Sequence, residues 1–444
     1  MSKVLEKAKN SVIPTKQEKE KMKILAEVLM GLVRKESIKY PEVTLIELGG
    51  SYAKGTWLKE KLDLDIFVKI KKETEEKKFE EIGKRIGFDS MKNFNPYVRY
   101  SEHPYVEAKA KNIRINIVPC YDVEKGQWKS AADRSSFHTK FILEKLNEEK
   151  KDEVRILKKF LRGVDIYGAE IAKEGFGGYV AEVLIYHYGT FTKVLEMAAN
   201  FTDGQIIGNP AKKFETPLVL IDPIDNNRNL GTAISAQNLG KFILAARTFL
   251  KKPTVEFFNG KKMRPNTKNL KNILVVKFNY EWRSPDIIWG QVKRGATALS
   301  GQLQLGGFQV IRKGAVTDEK NEAAMIFLLY STEIEKFLVK NGPDVFRKSE
   351  SENFISRNFK NNLTWIDDEG RILSLQEREF CNAKKFLHAL LKKNLSKAGI
   401  PSGINQDMKH GFKILNGRQV TSKSIKKALT ELTSTDELIF NSYK

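Results

Sequence analysis

The chain has 444 residues, 41% of them hydrophobic and 30% charged, which suits about two to four folded domains and is too apolar for a disordered chain. Its net charge of +22 points to a polyanionic partner, nucleic acid above all, and weighs against an enzyme of small acidic metabolites. No apolar run has membrane-spanning length, no apolar signal segment follows the lysine-rich start, and two cysteines, Cys120 and Cys381, make neither a disulfide framework nor a zinc cluster; a cytoplasmic protein with both thiols in its core is the expectation.

Thr15-Lys16-Gln17-Glu18 has the pattern of a capping box, and Met22, Leu25, Val28, Leu29, Leu32 and Val33 recur at helical spacing, so a helix is predicted over 15–38. Tyr40-Pro41 then leads into ELGGSYAKGTWLKEKLDLDIFVKI, which reads as strand, glycine turn, short helical link and strand. A charged helix is predicted over 72–85, its lysines a solvated face, followed by an alternating β-hairpin over 105–118. The first ~125 residues thus predict a small mixed sheet with helices on one face. Helical stripes carried by Val154, Leu157, Leu161, Val180, Val183 and Leu184 run from 136 to 199, a Pro-rich loop is expected over 209–226, and a helix over 230–250. Residues 272–330 predict strand, helix, strand, strand, a ferredoxin-like or RNA-recognition-type unit. A strand at 363–366, a helix ending near Gly399-Ile400-Pro401 and a basic helical tail complete an α+β chain, divided at 1–135, 136–265 and 266–444.

The chemistry concentrates at Gly49-Gly50-Ser51 and, twelve residues after Ser51, at Asp63-Leu64-Asp65. Glycines let backbone N–H groups and a serine hydroxyl approach a phosphate closely, and two acids on one strand face can hold Mg²⁺ against it. Side chains at i and i+2 share a strand face, so Asp63 and Asp65 point together while Leu62, Leu64 and Ile66 point into a core.

This pairing resembles the nucleotidyltransferase signature, GS followed by [DE]-x-[DE]. With Gly50-Ser51-Tyr52-Ala53-Lys54-Gly55-Thr56-Trp57-Leu58 and Val118-Pro119-Cys120-Tyr121, it resembles the archaeal (class I) CCA-adding tRNA nucleotidyltransferases. The resemblance implies a polymerase-beta-like catalytic head, a helical central domain and basic α/β C-terminal domains that bind the tRNA acceptor end. It further implies template-independent addition of C, C and A from CTP and ATP with two Mg²⁺ ions. Gly50, Ser51 and Lys54 would grip the triphosphate, lysine standing where the family usually has arginine and so losing the bidentate fork. Asp133-Arg134-Ser135-Ser136-Phe137-His138-Thr139 resembles the family's D-R-T-P-F-H-T without its proline, which gives His138 a triphosphate contact. Lys158 and Tyr167, nine residues apart, match a lysine and tyrosine that bind phosphates and sugar. Gly175-Phe176-Gly177-Gly178-Tyr179 resembles the G-F-S-G-Y helix entry, and Asp222-Pro223-Ile224-Asp225-Asn226-Asn227-Arg228-Asn229 resembles D-P-x-D-x-x-R-N, whose arginine, here Arg228, hydrogen-bonds the incoming base. Lys293 and Arg294 match the start of a helix along the acceptor stem. A homodimer stands among the expected partners, and a membrane does not.

One position departs from the family. The third metal carboxylate, on the strand before V-P-C-Y, is Asn116 here, which would ligate with Asp63 and Asp65 through a neutral oxygen and accept no proton. Register offers a replacement. If Lys111-Asn112 is a two-residue turn, Ala110 faces Ile113, Ala108 faces Ile115, Val106 faces Ile117, and Glu107 pairs with Asn116 to supply the missing charge; a solvated Glu107 is the alternative. Two other functions share these motifs: a terminal transferase acting on another RNA end, and a decayed nucleotidyltransferase that only binds RNA.

Overall fold

The structure is a computed structural model that describes residues 1–60, 63–99, 103–110, 113–260, 266–361 and 363–440. Contacts divide the chain into two compact units, Met1–Lys262 with Asp436–Lys444, and Met263–Thr435. Leu62 and the predicted turn residues Lys111 and Asn112 lie outside the described residues.

The first unit opens with α1 (Ser2–Val12), a helix the periodicity does not announce, and α2 (Lys16–Ser37). The capping box is present: the Glu18 N–H donates to Thr15 Oγ1 at 3.2 Å and the Thr15 N–H to Glu18 at 2.7 Å. After β1 (Val43–Gly49), α3 (Gly50–Lys54) and β2 (Asp63–Lys71) comes α4 (Glu76–Ser90). The last of these starts later than predicted because a turn closed by the Thr74 N–H on the Lys71 carbonyl intervenes, and it runs on because Ile86, Gly87 and Ser90 remain buried. Strands β3 (Tyr97–Arg99), β4 (Tyr105–Ala110) and β5 (Ile113–Asp122) complete a sheet ordered β1-β2-β5-β4-β3, in which β2 and β5 run parallel. One core joins Leu29 and Val33 of α2 and Phe79, Ile82 and Ile86 of α4 to Leu64, Ile66, Val106, Ile115 and Ile117 of the sheet. By strand alternation the other face carries Asp63, Asp65, Glu107 and Asn116.

A helical layer follows: α5 (Ser135–Lys145), α6 (Glu148–Gly163), α7 (Gly178–Tyr188) and α8 (Phe191–Ala198). The expected loop over 209–226 holds up to Pro217, but its last part enters a three-stranded sheet, β6 (Gln205–Ile207), β7 (Leu218–Asp222) and β8 (Asp225–Asn229). Its prolines do not break it, since Pro217 precedes β7 and Pro223 lies in the turn after it, where no ladder N–H is needed. Arg228 therefore rides on a strand. The predicted helix from 230 begins at α9 (Ala236–Lys251), capped by Ser235, and α10 (Glu256–Asn259) closes the layer around Phe160, Phe191, Phe249, Phe257 and Phe258. The terminal segment Glu437–Phe440 belongs here too. Ile439 enters this core and its carbonyl accepts from Thr248 Oγ1 at 2.9 Å, so the 266–444 region gives up its last residues.

The second unit is built on β9 (Ile273–Asn279), α11 (Pro285–Leu305), β10 (Val310–Thr317) and β11 (Glu322–Leu329), as predicted. It also has β12 (Phe337–Asp344), α12 (Lys348–Asn358), β13 (Leu363–Ile366) and β14 (Arg371–Glu377), which form a separate three-stranded sheet with its own helix. Next come α13 (Ala383–Lys393), α14 (Ser402–Lys409), β15 (Phe412–Asn416) and α15 (Lys423–Thr433). The order β10-β11-β9-β15 with every pair antiparallel is the ferredoxin-like arrangement, and β15 supplies the edge that the sequence left unassigned. The helix expected to reach Gly399 stops at Lys393, because Asn394 is extended and Gly399 turns the chain at φ +80°. Cys120 is buried as expected, whereas Cys381 is half-exposed.

Candidate active site

The predicted register is observed. Directly paired positions form a row across four strand pairs: Gly49 with Asp65, Asp65 with Asn116, Asn116 with Glu107, and Glu107 with Tyr97. Two glycines make room for it. A Cβ on Gly49 would lie 2.2 Å from the Phe67 ring, and one on Gly50, at φ +62°, would lie 1.7 Å from Asp65 Oδ2. Gly50 therefore brings the turn, with Ser51 next on α3, directly against the Asp65 carboxylate.

The carboxylates are held differently. Asp63 accepts from Arg114 Nε and Nη2 at 2.8 Å each, a bidentate pair across the parallel strands. Burial works against the Arg114 charge, but Asp63 outweighs it and holds the guanidinium above its usual range. Asp65 accepts from Asn116 Nδ2 at 2.8 Å; burial pushes its carboxyl up, Asn116 pulls it back, and neighbouring Asp63 pushes it up again. Among the described residues, Asn116 Oδ1 is buried without a hydrogen-bond partner. Glu107, although paired with Asn116 in register, turns away from it. Its carboxylate accepts from Tyr97 Oη and, at 3.1 Å, from Arg99 Nε, and only 2% of the residue is exposed. The structure thus corrects both readings of Glu107: it is not solvated, and its oxygens are engaged on β3 instead of facing the acids.

The predicted phosphate and base residues gather around two buried acids. Glu182 of α7 accepts from Lys54 Nζ at 2.9 Å, Lys158 Nζ at 2.8 Å and Thr56 Oγ1 at 2.5 Å. Burial opposes its charge, yet Lys158 and Lys54 hold its carboxyl down at about 2. Asp222, at the end of β7, lies 2.9 Å from His138 Nε2 and accepts from Arg228 Nη1 at 3.1 Å and Tyr179 Oη at 3.0 Å. Burial keeps the His138 imidazole below its usual range despite that acid. Tyr179 joins the clusters: its ring centroid is 3.9 Å from that of His138 and 4.8 Å from Lys54 Nζ. Tyr167 closes the far side, since a Cβ on Gly178 would lie 3.1 Å from its hydroxyl and 3.6 Å from Lys158 Nζ. Arg155, buried on α6, clamps the loop after the glycine turn by donating to the Trp57 carbonyl at 3.1 Å. Asp133 is structural, accepting from the N–H groups of Tyr121, Lys129 and Ser130.

Sequence reasoning missed Glu182, Arg114, Tyr179, Tyr97 and Arg99. Glu182 carried a visible signal, a lone acid in the apolar run Tyr179-Val180-Ala181-Glu182-Val183-Leu184. In the second unit, Lys293 and Arg294 lie on α11 off its buried Val292–Ala296 face; Arg294 is exposed and its Nε bonds the Gly290 carbonyl of its own helix. Glu76, Glu80 and His103 form the cluster of metal-ligating type among the described residues, but it lies beside Tyr121, at the other end of β2 from Asp63. No described helix is long and apolar enough to cross a membrane.

The sequence matches three families in order: the nucleotidyltransferase domain over residues 30–157, the second domain of tRNA nucleotidyltransferase over 152–259, and the C-terminal domain of the CCA-adding enzyme over 271–417. The CCA-adding enzyme of Saccharolobus shibatae is 35% identical over 387 residues, covering 86% of this chain and 89% of its own. That of Sulfurisphaera tokodaii is 36% identical over 388 residues, with the same coverage. Among solved structures, a cytoplasmic RNA terminal U-transferase aligns over 59% of this chain and all of its own at 12% identity and a TM-score of 0.45. With such relatives matched along most of its length, and the head, central and C-terminal families in sequence, this chain belongs to the CCA-adding enzymes, a family of tRNA nucleotidyltransferases.

Proposed function

We infer that the protein adds C, C and A in turn to the 3′ end of tRNA, taking CTP and ATP without a template and releasing pyrophosphate. The observation that carries this reading is a row of two acids and an amide, Asp63, Asp65 and Asn116, with Lys54 beside Asp65 and with Lys158 and Arg228 in the same compact unit.

The acidic row suits a divalent cation. Asp63 already seats a cationic group on both oxygens, burial makes the Asp65 anion costly without a counter-charge, and the orphaned Asn116 Oδ1 is an acceptor awaiting a donor or ligand partner. Asp63, Asp65 and Asn116 would hold the ion, Mg²⁺ as a pair being the proposed species, and once bound it would neutralise phosphate charge and ease deprotonation of the attacking 3′-hydroxyl. Glu107 fixes the β4 end of the row from its seat on Tyr97 and Arg99. Gly50 and Ser51 let the backbone come close to a phosphate, while Lys54, Lys158, His138 and Tyr167 surround the triphosphate. Lys293 and Arg294 take phosphates of the acceptor stem, and the place of action is the cytoplasm.

Arg228 reads the base. A guanidinium only donates, so it can donate to N3 of cytosine or N1 of adenine, but not to the same edge of uracil or guanine, which presents an N–H donor. Asp222 fixes one of its N–H groups, and 36% of the side chain is exposed. Equilibrium binding tests this: CTP and ATP are retained over UTP and GTP, and Arg228→Ala abolishes the preference. Equal retention of all four nucleotides by the native enzyme would overturn it.

A further inference from the structure

Glu182 is 1% exposed, yet it carries two ammonium groups from separate elements: Lys54 from the end of α3, beside the glycine turn, and Lys158 from α6. The three side chains leave one positive charge in excess. The same two lysines are the cations read above as triphosphate ligands, and the inference rests on that reading. A carboxylate oxygen and a phosphate oxygen are equivalent acceptors for an ammonium group, so a phosphate arriving here competes with Glu182 for the same N–H donors. Thr56 Oγ1 donates to Glu182 and accepts from Lys158 at 2.9 Å, which ties Lys158 to the loop after the glycine turn and keeps it within reach when its partner changes.

We propose that Glu182 is an internal stand-in for the triphosphate, a positioning residue that holds Lys54 and Lys158 in place before the nucleotide arrives and takes them back as pyrophosphate leaves. A purely structural buried ion pair would only support the fold. A competing anion has a different signature: removing its charge tightens the product and slows its release.

The test is calorimetric titration of inorganic pyrophosphate, with Mg²⁺ present, into the full-length protein and its variants, alongside single-turnover and steady-state rates. Glu182→Gln is expected to bind pyrophosphate about tenfold tighter, to lower the KM for CTP, and to lower steady-state kcat while the single-turnover rate holds within about twofold. Unchanged or weaker pyrophosphate binding with a lowered melting temperature would mark the residue as structural and overturn the proposal. If Glu182→Gln does not fold, Glu182→Asp, whose carboxylate is drawn back by one methylene, is expected to bind about threefold tighter, and no tightening there overturns it equally. The two failures separate cleanly. Native protein that binds pyrophosphate, loses it in Lys54→Met, and is unaffected in Glu182→Gln refutes the role of Glu182 alone; native protein that binds none refutes the reading of the lysines as well.

Discussion

Arg114 grips Asp63 at two points across a parallel strand pair, Nε to Oδ1 and Nη2 to Oδ2, both at 2.8 Å. A divalent cation that uses Asp63 must therefore compete with a guanidinium. Arg114→Gln is expected to tighten Mn²⁺ binding about tenfold by calorimetry, since it frees both oxygens and removes a positive charge. Unchanged affinity would show that Asp63 serves the ion without releasing Arg114.

Asn116 makes a contrasting prediction. Asn116→Asp places a third anion beside Asp65, whose carboxyl burial and Asp63 already push up. Without divalent cation the variant is expected to melt at a lower temperature than the native protein, and added Mg²⁺ should restore at least the native value. A melting temperature indifferent to Mg²⁺ would place the ion away from this row.

The glycine turn is specific to one position. Gly50→Ala meets both a φ of +62° and the Asp65 carboxylate, and is expected to cost about 3 kcal/mol with loss of turnover. Gly126→Ala, at φ +92° with nothing within 4 Å among the described residues, has only the backbone strain to meet, about 1 kcal/mol. Denaturant melts of the two variants check the difference; equal costs would mean that the contact with Asp65 does not constrain the turn.

Local alternation and motifs are written in the sequence, whereas partners brought in from distant strands and helices are not. The Glu107–Asn116 register followed from alternation alone, because a one-residue slip would expose Val106, Ala108, Ile115 and Ile117 together. Where Glu107 points did not follow, because Tyr97 and Arg99 reach it from a strand paired only in the fold. Likewise the prolines at 217 and 223 read as loop, although they stand outside β7, and β15 could not be assigned to β9 across more than a hundred intervening residues. Motifs named Lys54, Lys158, His138 and Arg228 one by one. Glu182 stands out as a lone acid in an apolar run and Asp222 opens a motif, but that these two acids gather the cations shows only once α3, α6, α7 and β7 are packed together.

Acid stability follows from Glu182. Its carboxyl falls from an ordinary 4.5 to about 2 in the folded protein, so the folded state favours the anion. That contribution is fully present above about pH 4.5 and is lost as pH falls toward about 2. The stability gap between the native protein and Glu182→Gln is therefore expected to be widest at neutral pH and to narrow through that window, as followed by chemical melts at stepped pH. A gap that stays constant across it would remove the lysine-held anion from the account.

The most direct test of the central claim is single-nucleotide gel resolution of a tRNA transcript that ends just before the CCA. It would be incubated with Mg²⁺, CTP and ATP, together and separately, using the native protein and Asp65→Asn. The expected result is two additions with CTP alone, a third only when ATP is present, and none from Asp65→Asn. Binding of the transcript without extension, or an Asp65→Asn protein that extends at the native rate, would contradict it.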